Sequence, residues 1–161
     1  MEEKQQQAYL IYPRLGGLAN DMLVQQEDGT VLYHIQSQIF APMGKSYKIL
    51  DGSMKEIMVT KQDHTFVFPT HTVLQENNPI ASIGQIGIIP QNYFISIKGQ
   101  PRLTIRIPVF GGIFELEGHN HPVAQIAQHQ TKWIVAIDVD QDFRMILPLL
   151  GVIYREYSIG G

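Results

Sequence analysis

The chain has 161 residues, 44% hydrophobic and 17% charged, with a formal charge of −3, which is enough apolar residue for one globular domain over 1–161 with a real core. Its twelve Lys and Arg occur in no run of four or more, which argues against a general nucleic-acid binder that works by neutralising phosphates. With no cysteine, disulfides, thiolate zinc sites and a cysteine nucleophile are excluded, and a reducing compartment is the natural fit.

The first segment, MEEKQQQAYLIYP, is acidic and Gln-rich and has no basic stretch ahead of an apolar one. No secretory signal is read there, and a cytoplasmic location is expected. An extended run over 7–13 passes through the link YPRLGGL to a second over 21–26, which turns at Asp28-Gly29 into 31–38. The link IFAPMGKSY leads to 46–51, turning at Asp51-Gly52 into 56–62, and FVFPTHT leads to 71–76, turning at Asn77-Asn78 into 80–85. IGIIPQNYF leads to 92–98, turning at Gly99-Gln100 into 102–107; IPVFGGIFEL leads to 113–118, turning at His119-Asn120 into 123–128 and on to 132–139. Asp-Gly, Asn-Asn and Gly-Gln adopt positive φ cheaply, so they close hairpins, while the links rich in Pro, Gly and aromatics join one hairpin to the next.

Apolar alternation with a period of two marks several runs as strands. In RLTIRI, Leu103, Ile105 and Ile107 share one face and Arg102, Thr104 and Arg106 the other. VLYHIQ sets Val31, Tyr33 and Ile35 against Leu32, His34 and Gln36, and WIVAIDVD sets Trp133, Val135, Ile137 and Val139 against Ile134, Ala136 and Asp138. About twelve short strands at regular spacing predict an all-β barrel or sandwich.

The last stretch, DVDQDFRMILPLLGVIYREY, is the most apolar. A membrane span needs about 20 consecutive apolar residues, and MILPLLGVIY offers half that between Arg144 and Arg155, so a transmembrane helix is not expected. The segment has no polar face, and such a helix must be enclosed on every side. A closed sheet of about twelve strands is wide enough to enclose it. The sequence therefore predicts a mainly β protein: an antiparallel barrel of about twelve strands closed around a buried C-terminal helix. Pro148 removes one helical hydrogen bond and crowds residue 144, which predicts a kink or a late helix start.

Strand pairs around Asp-Gly-type turns, links such as QIFAPMGKSYKILDG and the ending WIVAIDVDQDFRMILPLLGVIYREYS resemble the tubby C-terminal-like superfamily. Within it the nearest likeness is to the LURP-one-related group, with phospholipid scramblases more distant. The resemblance runs from about Tyr9 to Ser158 and implies a twelve-stranded barrel around a central helix.

Candidate chemistry is sparse. Asp138, Asp140 and Asp142 match the opening of a calcium-binding EF-hand loop, but Phe143 stands where its glycine belongs and Leu149 where its glutamate belongs. The scramblase resemblance implies a calcium-associated acidic segment here; the competing reading is a helix N-terminus capped by carboxylates. His119 and His121 form an H-x-H pair without a third ligand nearby, and His64 and His71 read as surface or link residues. Glu115 and Glu117 read as a solvated outer face. No nucleophile elbow, Walker loop, zincin or dinucleotide motif is present, so neither enzymatic activity nor a cofactor is expected.

Binding is the expected role, and the resemblance to tubby proteins and scramblases implies an anionic phospholipid surface. The cations placed for it are Lys98, Arg102 and Arg106, on the turn and outer side of one hairpin. A protein partner is the other expectation; a carrier or sensor of a small apolar ligand, and a calcium-linked scramblase-like membrane protein, are the alternatives.

Overall fold

A computed structural model describes residues 5–13, 21–38, 46–63, 70–86, 92–108, 112–118 and 121–159, the last five by backbone alone. Twelve strands follow in order: β1 (Gln6–Pro13), β2 (Met22–Gln26), β3 (Val31–Gln38), β4 (Ser46–Asp51), β5 (Glu56–Asp63) and β6 (Thr70–Gln75), then β7 (Asn78–Gln85), β8 (Asn92–Ile97), β9 (Leu103–Arg106), β10 (Ile113–Gly118), β11 (His121–His129) and β12 (Lys132–Asp138). A single helix, α1 (Phe143–Ile159), ends the described chain. Every strand pairs antiparallel with its sequence neighbours, and β1 pairs with both β2 and β12, closing the barrel.

The turns do what their residues allow. Gly29 has φ +90°, and the Asp28 carboxylate accepts a bond from the Thr30 N–H at 2.9 Å. Asp51 accepts from both Ser53 and Lys55 N–H groups. Glu76 and Asn77, at φ 51° and 65°, make a two-residue loop with both φ values positive, the geometry that matches strand twist. Register shifts occur at Val24/Gln25, Ile49/Leu50, Val73/Leu74 and Leu116/Glu117, each beside a hairpin turn. Bulges there raise the local twist and help curl a sheet shut.

Inward-facing Ile, Leu, Val and aromatic side chains fill the barrel wall's inner surface, and α1 fills the rest. Every residue from Ile146 to Tyr154 is buried, including Pro148 and Gly151, as an all-apolar helix requires. Phe143 stacks on Tyr9 of β1 with centroids 3.8 Å apart and rings 2° from parallel. Trp133 of β12 meets Tyr154 edge-on at 5.0 Å, and the Tyr154 hydroxyl donates to the Thr131 carbonyl at 2.8 Å. The helix is thus fixed at both ends of the lumen.

Two sequence expectations change. The helix does not start late: it begins at Phe143 and carries Pro148 inside it. Pro148 has no N–H to donate to the Arg144 carbonyl, which lies in the first turn next to an exposed side chain, where water can replace the bond. Val139 does not extend the inward row of β12 but lies beyond its end, 56% exposed. Among the described residues no helix is long and apolar enough to cross a membrane.

Candidate functional site

With the lumen occupied, the chemistry that can meet a partner lies on the outer wall. On β8 the ring of Phe94 points outward and lies over Gly84 of β7, where an added Cβ would approach the ring to 2.9 Å. The Arg102 guanidinium sits over that ring, 4.1 Å from its centroid, a cation–π contact that holds the long side chain in one place. Lys98 is exposed in the β8–β9 turn, and its backbone N–H donates to the Ile80 carbonyl at 3.0 Å, tying the turn to β7. Arg106 lies four residues beyond Arg102 on the same outer face, about 13 Å along the strand. Arg102 and Arg106 therefore share the outer face, with Arg102 held against Phe94, while Lys98 lies in the adjoining turn.

Arg106 instead belongs to a groove. Asn92 of β8 and Glu115 of β10 are its cross-strand partners, and Gln125 of β11 lies beyond Glu115 and donates to its carboxylate at 3.5 Å. The groove has a volume of about 890 Å3 and is also lined by Ile113 and Glu117. Ile113 is 61% exposed. Among the described residues neither Arg106 nor Glu117 has an ion-pair partner. From Ile113 the register continues outward-facing through Ala127 of β11 and Ile134 of β12 to Leu10 of β1, an apolar row across four strands. Sequence alternation placed Glu115 and Glu117 on the outer face, but Ile113 and Ile134 occupy that face too. An apolar residue in an outward position was the available signal.

The three aspartates are dispersed. Asp138 is buried at the end of β12, where the Gln6 amide reaches it at 3.4 Å; Asp140 is exposed in the turn. Asp142 caps α1, accepting from the Arg144 N–H at 3.1 Å. Among the described residues no three His, Asp or Glu side chains gather in a metal-sized group. His121 is exposed on β11, while His119 and His64 lie outside the described residues. His71 is neither a surface nor a link residue: it is 2% exposed on the inner face of β6, its ring 6.5 Å from that of Tyr47.

Burial raises the pKa of Tyr9, Tyr33 and Tyr154 above the ordinary phenol value, because phenolate is poorly solvated there. The Asp142 charge adds to the effect at Tyr9, and Arg144 partly opposes it at Tyr33. Compared with known proteins, the chain matches no family model and no curated protein.

Proposed function

We propose that this barrel is a non-enzymatic binding module, akin to the tubby-like and LURP-one-related domains it resembles, that docks a protein partner through its outer wall. The observation that carries this reading is the unbroken burial of Ile146 to Tyr154. A carrier of apolar molecules needs an open lumen, and here a helix occupies it. Dispersal of Asp138, Asp140 and Asp142 leaves the calcium-linked scramblase reading without a built site.

An anionic lipid surface is the second reading, favoured by the Arg102 guanidinium held over Phe94 and by Lys98 exposed in the adjoining turn. Against it stand the carboxylates of Asp28, Asp51, Glu76 and Asp140, at the same end of the barrel as that turn. They repel anionic headgroups over distances of about one Debye length, roughly 8 Å at physiological salt.

Two measurements on the intact protein separate the readings. A native mass spectrum is expected to show the bare chain; a co-purified lipid or metabolite would establish the carrier instead. Co-sedimentation with phosphatidylserine-containing vesicles at low salt is expected to be no greater than with phosphatidylcholine alone. Binding to the anionic vesicles that disappears in a Lys98→Ala, Arg102→Ala, Arg106→Ala variant would replace the protein-docking reading with the lipid one.

A further inference from the structure

We infer that the groove over β8–β11 accepts an extended segment of a partner protein in which an apolar side chain is followed, at alternate positions, by Lys or Arg. This rests on the reading that the outer wall docks a protein, and it names the chemistry of that protein. Along β10 the outward side chains are Ile113, Glu115 and Glu117, at intervals of two residues and so about 6.8 Å apart. An extended peptide presents its own same-face side chains at that interval, so apolar, basic, basic on the segment meets apolar, acidic, acidic on the wall.

The surroundings reinforce each end. Pro108 and Ile86 widen the apolar end on one side, and Ala127 and Ile134 on the other. Arg106 faces Glu115 across the strands and offsets part of its charge, which leaves Glu117 as the stronger cation acceptor. Because the barrel is closed, its strands have no free edge for a peptide to extend. Recognition must come from side chains, which makes it sequence-dependent and salt-sensitive. The same two carboxylates disfavour a phospholipid headgroup.

The test is a random-peptide display library selected on the intact barrel, followed by anisotropy measurements with the enriched peptides on variants. Glu115, Glu117 and Ile113 are exposed, so Glu115→Gln with Glu117→Gln, and separately Ile113→Ser, should leave the fold unchanged by circular dichroism. Enriched peptides are expected to carry Lys or Arg two to four residues from an aliphatic or aromatic residue. Their affinity should fall about tenfold in each variant and weaken with salt, but persist in Lys98→Ala, Arg102→Ala. Enrichment of acidic peptides, or of peptides that bind both groove variants as well as wild type, would overturn the groove's assignment while leaving outer-wall docking in place. Failure to enrich any peptide would overturn both.

Discussion

Tyr9, Tyr33 and Tyr154 hold their phenol protons more tightly in the folded barrel than in the unfolded chain, chiefly through burial. Below the unfolded value of 10.0 both states are protonated and the three contribute no pH dependence. As pH rises past it the unfolded chain ionises first, so stability falls progressively with alkalinity. Titration of the seven tyrosines by tyrosinate absorbance should show a late group whose ionisation coincides with unfolding; seven phenols ionising together in a folded protein would contradict this. At the same scale, the outward placement of Arg102, Thr104 and Arg106 was legible because strict alternation with Leu103, Ile105 and Ile107 leaves one solution. His71 was misread because its residue type suggests surface, although it shares a face with Val73. That face is the inner one, and residue type could not say so.

For the helix, the strongest claim is that the barrel cannot stand without it. Ile146, Leu147, Leu149, Leu150, Val152 and Ile153 are each at most 1% exposed, and burying one such side chain contributes about 1.5–3 kcal/mol. Six of them exceed or match the roughly 5–15 kcal/mol of net stability usual for a domain. Truncation before Asp142 should therefore give a chain without dispersed amide resonances in a proton–nitrogen correlation spectrum; a folded truncated domain would refute the central-helix account. Existence and apolarity of this element were plain in the sequence, and so was its shortness for a membrane. Tolerance of Pro148 was not plain, because it depends on where in the helix the missing bond falls and whether water reaches the orphaned Arg144 carbonyl.

Closure makes barrel and helix one cooperative unit, since α1 packs against inner-face residues of strands around the barrel, among them β1, β3, β4, β8 and β12. Trp133, the single tryptophan, touches Tyr154 of the helix from β12 and so reports on the joint between them. Urea unfolding followed by tryptophan fluorescence and by far-ultraviolet circular dichroism should give superimposable transitions. A helix that left the lumen first would shift the fluorescence midpoint below the other. The twelve runs legible in the sequence all became strands, with ends moved by one or two residues, because turn residues such as Asp28-Gly29 act locally; the turn read at Asn77-Asn78 falls one residue earlier, at Glu76-Asn77.

By itself the sequence determined the number of strands, the described hairpin turns to within a residue and the need for something to enclose the last apolar segment. Each follows from the conformational limits or burial requirement of a short stretch of chain. Only the tertiary structure decided which outward residues become neighbours. Ile113 and Glu117 of β10, Arg106 of β9 and Ile134 of β12 come from three strands, and their meeting on one face depends on cross-strand register, a property that no single segment carries.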